Sequence, residues 1–214
     1  YCWPSMSHNH RHHRGCRQEC SDIIAGADGV RYTMNSYVDI PKVTVLNEAV
    51  DGSGGKVFKE WDQRLDRTDY VDSDVDEELL FNIPFRGQVK ITGLVVVGDL
   101  DDTHPSCLKV FKDRPSMSFE DAQMKPDQEF SLKQDPDGGV DYALKATVFS
   151  NLTHLSFFFP TNFGSDHTRI YYIGLRGEYL SDIRQKVVVT TYEARPMLKD
   201  HKGELPDSVQ KHIF

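Results

Sequence analysis

Short runs of β-branched and aromatic residues recur along this chain, each closed by turn-forming residues. That rhythm limits the fold more than any other feature. "QVKITGLVVVGD" (88–99), "CLKVFK" (107–112), "YALKATVF" (142–149), "HLSFFFP" (154–160), "RIYYIGLRGEY" (169–179) and "QKVVVTTYEA" (185–194) all read as strands. "GDLDDTHPS", "QDPDGG", "PTNFGSDH" and "RGEYLSD" punctuate them with Gly, Pro, Asn and Asp. The run 88–99 first alternates and then turns continuously apolar, as a strand buried on both faces does. Helical periodicity is weak, and "KEWDQRLD" (59–66) and "EDAQM" (120–124) are each expected to give a turn or two. Several short strands at this spacing indicate an all-β sandwich or barrel.

The ends of the chain follow other rules. Met6 reads as a natural start, with residues 1–5 an extension ahead of it. Residues 1–29 are rich in His, Arg, Gly and Cys without a hydrophobic period, and read as disordered. A folded domain is expected over 30–194. Residues 195–214 lose the alternation, are broken by Pro196, Gly203 and Pro206, and read as a tail that ends on the apolar "HIF". The 214 residues carry a net charge of -8, a poor match to nucleic-acid phosphates, so no nucleic-acid partner is expected. No run approaches the 18 apolar residues of a membrane span, and the start lacks the apolar core of a secretory signal. Of the four cysteines, Cys2, Cys16, Cys20 and Cys107, only the last lies in the body of the chain, which argues for a reducing compartment.

"DSDVDEELLFNIPF" (72–85) sets a dense negative cluster directly against an apolar run. The apolar half, Leu79, Leu80, Phe81, Ile83 and Phe85, is expected in the core, with Pro84 at a strand end or edge because proline cannot donate to a ladder. An EF-hand reading fails: counted from Asp72, position 6 is Glu77 and position 12 is Ile83. A non-EF calcium site, a solvated turn and a docking surface remain. As a docking surface, Asp72, Asp74, Asp76, Glu77 and Glu78 would attract a basic partner. In the tail, "VQKHIF" sets His212 beside Ile213 and Phe214, an imidazole with two apolar anchors that suits insertion into a partner's groove.

No catalytic constellation is visible. There is no G-x-S-x-G elbow, and neither "DGSGGK" (51–56) nor "YIGLRGE" (172–178) fits a phosphate-binding loop. Cys107 and His104 stand three residues apart, a spacing more often filled by an inert thiol and a turn histidine. Asp99, Asp101 and Asp102 would need a facing carboxylate to act as a glycosidase pair. The N-terminal histidines suit incidental metal affinity rather than a built site, so no metal or cofactor is expected. Arg176, a charge within an apolar strand, is expected to form a structural ion pair, the acidic loop being one mate.

Taken in order, "GGKVFKEW", "SDVDEELLFNIPF", "VKITGLVVVGD", "DDTHPSCLKVFKDRPSMSFEDAQ", "PDQEFSL", "FSNLTHLSFFFPTNFGSDHTRIYYIGLRGEY" and "VTTYEA" resemble the PITH domain, the proteasome-interacting thioredoxin-like C-terminal domain, over roughly residues 32–194. The resemblance implies a jelly-roll β-sandwich similar to galactose-binding domains. It also implies a cytoplasmic and nuclear protein, association with the proteasome regulatory particle, and a regulatory part in differentiation or gene expression. The thioredoxin domain of the fused family members is missing from this sequence, so their disulfide reductase activity does not carry over. A non-enzymatic, monomeric interaction domain is the expectation. The alternative is a small-molecule or glycan-binding module, for which Trp61, Tyr70 and His104 are candidate lip residues.

Overall fold

The structure, a computed structural model, describes residues 32–182. Nine strands and one short helix make up the described elements besides 3-10 turns. They are β1 (Thr44–Leu46), β2 (Val71–Asp72), β3 (Leu79–Val97), β4 (Cys107–Lys112), α1 (Phe119–Ala122), β5 (Gln128–Ser131), β6 (Tyr142–Ala143), β7 (Leu152–Phe159), β8 (Arg169–Ile170) and β9 (Tyr172–Asp182). The pairings are antiparallel. The main sheet runs β1-β3-β7-β4-β5, with β6 and β9 also on β3, and β2 pairs with β8 alone.

β3 organises the architecture. Its first half pairs with β7 from Leu79 to Pro84, and its second half pairs with β9 from Gly87 to Val97. Pro84 therefore does not end a strand, as the sequence suggests. It sits inside one 19-residue strand, at the point where the β7 register breaks. A proline has no N–H to give, so a change of partner is where it costs least. Its carbonyl still accepts from Asp39 N at 2.9 Å. Leu79, Phe81 and Ile83 from the first half share one core with Leu94 and Val96 from the second, together with Leu108, Phe157, Phe159, Ile173 and Leu175. The two halves of β3 thus face each other across one hydrophobic core, an antiparallel β-sandwich, the one of the two architectures allowed by the strand pattern that the resemblance implies.

A register shift between Ile91 and Gly93 reverses which side chains point inward. Before it the odd-numbered residues Val89 and Ile91 enter the core; after it the even-numbered Leu94 and Val96 do. Val95 and Val97 then pack outward with Tyr32, Trp61 and Tyr172 in a second cluster. This is the physical basis of the doubly buried run. On the other outer face, α1 supplies Ala122 to a cluster with Leu80, Phe111, Met117 and Phe158. Ser118 caps that helix in a reciprocal box with Asp121.

The run 142–149 is not the strand that its residues suggest. Only Tyr142–Ala143 pairs, and Val148 N and Phe149 N both return to Lys145 O as a turn. The turn still buries Leu144 and Phe149, and it takes up backbone groups of β3 beside the shift: Leu144 N donates to Thr92 O, and Ile91 N donates to Phe149 O. The readings over 1–29, 185–194 and 195–214 lie outside the described residues.

Asn82 is a buried polar side chain in the first half of β3. Its amide donates to Met117 O at 3.1 Å, and its Oδ1 accepts from Met117 N and Ser156 Oγ. Replacing Asn82 with Ala strands both backbone groups of Met117. A loss of about 2–3 kcal/mol is expected, read as a lower urea midpoint with an unchanged slope.

Candidate functional site

Both ends of β3 lead to the same place. The acidic loop before it bonds to the segment ahead of β9 through Ser73 N to Thr168 O at 3.0 Å and Thr168 N to Ser73 Oγ at 2.9 Å. The loop after it bonds to the same segment through Arg169 N to Thr103 O at 3.0 Å and Phe163 N to Asp102 O at 3.2 Å. Ala49 N to Asp72 O and Gly98 N to Asp135 O bring in two further loops. Segments 47–53, 66–78, 98–106, 134–140 and 161–169 therefore form one connected loop end. They carry fifteen carboxylates and two arginines, with no lysine.

Both arginines are already engaged within the fold. Arg169 makes a two-pronged pair with Asp72, Nε to Oδ1 and Nη2 to Oδ2 both at 2.7 Å, and its guanidinium lies 4.6 Å from the Tyr70 ring centre. Arg67 lies over the Tyr171 ring at 4.4 Å, approaches Asp99 at 3.9 Å and donates to Pro136 O. Tyr171 donates to Asp99 at 2.7 Å and meets Tyr70 edge-on. The four groups form a ladder of two adjacent rings with a guanidinium on each outer side. Its supports recur every third residue along one strap. Trp61 packs on Tyr32 and Tyr172, Arg64 covers Trp61 and donates to Asp137 O, and Arg67 and Tyr70 complete the ladder.

The five acids of the 72–78 stretch divide by role. Asp72 is committed to Arg169. Asp76 Oδ1 accepts from Asn47 Nδ2 at 2.7 Å and from Glu78 N, so it shapes the loop. Asn47, at φ +67°, also donates to Glu78 O and accepts from Val75 N, binding the loop from inside. Asp74 and Glu77 have no side-chain partner among the described residues, nor do Asp51, Asp102 and Asp166. Burial, with Asp76 and Glu77 beside it, raises the pKa of the Glu78 carboxyl. Besides Tyr70 of the ladder, four apolar side chains stand out from the same loops: Val75 is 83% exposed, Leu100 69%, Val50 67% and Phe163 42%.

The remaining predicted residues fall elsewhere. Arg176 pairs with Asp141 at 2.8 Å, not with the acidic loop, whose own mate is Arg169. Asp141 also accepts from the Tyr32 hydroxyl. Gly93 makes room for this pair, since a Cβ there would lie 2.5 Å from Arg176 Nη2. The three candidate lip residues do not meet on one surface: Trp61 packs on Tyr32, Tyr70 belongs to the ladder, and His104 is fully buried. Cys107 makes no bond to His104. Its thiol faces Glu129 at 3.5 Å, and burial raises its pKa to about 11, the opposite of an activated nucleophile. Asp101 is spent on the Thr103 amide and hydroxyl. No group of three His, Cys, Asp or Glu side chains among the described residues is arranged to hold a metal ion. His212, Ile213 and Phe214 lie outside the described residues. Sequence reasoning missed Arg67, Arg169, Tyr171 and Asn47. Only the three-residue spacing of Trp61, Arg64, Arg67 and Tyr70 offers a local signal for any of them.

The PITH domain family matches residues 25–196. PITH domain-containing protein ZK353.9 of Caenorhabditis elegans is 54% identical over 208 residues, covering 97% of this chain and 99% of that protein. PITH domain-containing protein 1 of Homo sapiens is 45% identical over 199 residues, covering 92% and 94%. Among solved structures, the CBM32-1 and CBM32-2 domains of Clostridium perfringens ZmpB, in complex with GalNAc, match with a TM-score of 0.52 at 9% identity. The match covers 76% of this chain, and this chain spans 40% of that one. That likeness establishes a galactose-binding-like β-sandwich.

His104 ties the loop end to the core. Its Nδ1 bonds Pro105 O at 2.8 Å, and its Nε2 accepts from Asp135 N at 3.3 Å, which fixes the neutral ring with its proton on Nδ1. Asp135 in turn accepts four backbone N–H groups from residues 137–140. Burial holds the His104 pKa below its usual 6.5, against the pull of the Pro105 carbonyl and of Asp135, Asp101 and Asp99. The unfolded chain therefore takes a proton that the folded chain refuses, so stability is full above pH 6.5 and falls as the pH drops below it. Urea midpoints measured from about pH 7.5 to about pH 5 are expected to show this decline, with a shallower slope in His104→Gln.

Proposed function

The chain belongs to the PITH domain family, and on that premise we propose that it is a non-catalytic protein-interaction domain that docks a basic partner surface through its loop end. The observation that carries this reading is the charge balance there: fifteen carboxylates against two arginines, both arginines engaged inside the fold. Asp74, Glu77, Asp102 and Asp166 are left to act on a partner, and exposed Val50, Val75 and Leu100 supply apolar contact beside them. Such a rim speeds encounter with a basic surface and weakens as salt rises.

The partner is the proteasome regulatory particle, the association implied by the family resemblance. A cytoplasmic and nuclear monomer with a regulatory part in differentiation or gene expression completes the reading. The tail residues His212, Ile213 and Phe214 are a second contact. A glycan-binding reading is disfavoured at this site, because Arg169 and Arg67 already cover the faces of Tyr70 and Tyr171 that a sugar ring would stack on.

The test is capture of the regulatory particle by the full chain at low and moderate salt. Enrichment that weakens with salt is expected. The triple variant Asp74→Lys, Glu77→Lys, Asp102→Lys removes no internal bond, and it should bind at least about tenfold more slowly. Equal capture by this variant at low salt would sink the loop-end reading. Deleting residues 207–214 is expected to shorten the lifetime of the complex, read as faster dissociation, and an unchanged rate would remove the tail from the contact.

A further inference from the structure

A second feature lies away from the free carboxylates of the loop end. The turn Thr33–Tyr37 and the strap around Trp61 enclose a cleft of about 330 Å³, lined among the described residues by Tyr32, Thr33, Asn35, Glu60, Trp61 and Asp62 together with Ser36. That volume suits a single large side chain or a small ligand.

The walls are fixed before anything binds. Tyr32 stacks on Trp61 at 4.6 Å between centroids and 11° between planes. Arg64 lies 4.2 Å from the Trp61 ring centre, and Tyr172 meets Trp61 edge-on. The Tyr32 hydroxyl is held by Asp141, which Arg176 neutralises. Asn35 is buried and donates to Lys59 O and Ile173 O while accepting from Leu175 N, so it locks the turn to both the strap and β9. A cleft whose walls cannot relax loses little entropy on binding.

The chemistry of the cleft is two-part. Its aromatic wall is apolar, and with Trp61 stacked and covered it offers less ring face than a free indole would. Its rim carries the exposed carboxylates of Glu60 and Asp62, neither of which has a hydrogen-bond or ion-pair partner among the described residues. A matching occupant needs an aliphatic stem for the wall and a positive head for the rim. Those are the properties of lysine and arginine side chains, which bury their methylenes and keep the charge at the surface.

We propose that this cleft receives a lysine or arginine side chain of a partner protein, as a contact separate from the acidic loop end. It does not depend on the loop-end reading, because the cleft is tested on the protein alone.

The test uses the full chain and simple probes. The Trp61 indole N–H resonance, assigned with Trp3→Phe, is followed during titration with N-acetyl-arginine amide, N-acetyl-lysine amide and the neutral isostere N-acetyl-norleucine amide. The cationic amides should bind about tenfold more tightly than norleucine amide, and that preference should vanish in Glu60→Gln, Asp62→Asn. Both changes are on exposed side chains, and an unchanged urea midpoint confirms that the fold is kept. Equal binding of norleucine amide, or no movement of the Trp61 signal with any probe, overturns the proposal. Tighter binding after removal of residues 1–29 also overturns it, by assigning the cleft to this chain's own Arg11, Arg14 or Arg17.

Discussion

β3 has to serve two layers of a sandwich and bury side chains on both of its faces. The backbone meets that demand at two places. At Pro84 the continuous pairing with β7 breaks, to resume at Val89, which is where a residue without an N–H is best tolerated, and from Gly87 the strand is paired with β9. At Thr92 a register shift reverses the inward side, so that Leu94 and Val96 reach the main core while Val95 and Val97 face Tyr172 and Trp61. Without the reversal, Val95 and Val97 would enter the core, and Leu94 and Val96 would meet the aromatic cluster. The turn at 144–149 belongs to the same solution, because it bonds backbone groups of β3 beside the shift. Since the loops before and after β3 both hydrogen-bond to residues 163–169, the two acidic stretches flanking this strand share one surface.

That surface separates acids that hold the fold from acids that face outward. Asp72, Asp76, Asp99, Asp101 and Asp135 each accept bonds that shape a loop, and removing any of them would unpair backbone or arginine groups. Asp74, Glu77, Asp102 and Asp166 do none of this. Like charges gathered on one surface repel one another, a cost that water and salt screen only in part. A cationic partner would relieve the repulsion by replacing like-charge neighbours with opposite ones. Because those carboxylates are exposed, each pair is worth little in equilibrium affinity, and the larger effect falls on the rate of encounter.

The strand rhythm was legible in the chain where burial alone decides conformation. "CLKVFK" is β4 over the same six residues, and the doubly apolar end of 88–99 announces the two clusters that meet there. "YALKATVF" misleads because its composition suits a strand while its position demands a turn: β3 already has β9 along one edge, and the other needs its backbone groups capped rather than extended. The acidic loop was visible as charge but not as structure. Which of its members are free depends on Arg169, 97 positions from Asp72, and on Asn47, 29 positions from Asp76. The mate of Arg176 was hidden for the same reason, since Asp141 comes near only when β6 pairs with β3 at Gly93.

The strap from Trp61 to Tyr70 explains how the loop end and the aromatic cleft are both held rigid with few residues. It forms only one 3-10 turn of its own, so its order comes from what it touches. Every third side chain is a ring or a guanidinium, and each lands on a partner that is itself fixed: Tyr172 on β9, the Asp137 and Pro136 carbonyls, and Tyr171 beside Asp99. Cation–ring contacts suit this task better than simple ion pairs would. Arg169 and Arg67 take up Asp72 and Asp99, the other carboxylates keep the surface acidic, and the aromatic partners bury apolar area that a lone ion pair would not. Arg67 and Arg169 then do two things at once. They anchor the strap and β8 to the sandwich, and by covering Tyr171 and Tyr70 they close the ring faces that would otherwise make this end a platform for stacking ligands. What remains outward is charge, the aliphatic side chains of Val50, Val75 and Leu100, and the partly exposed ring of Phe163.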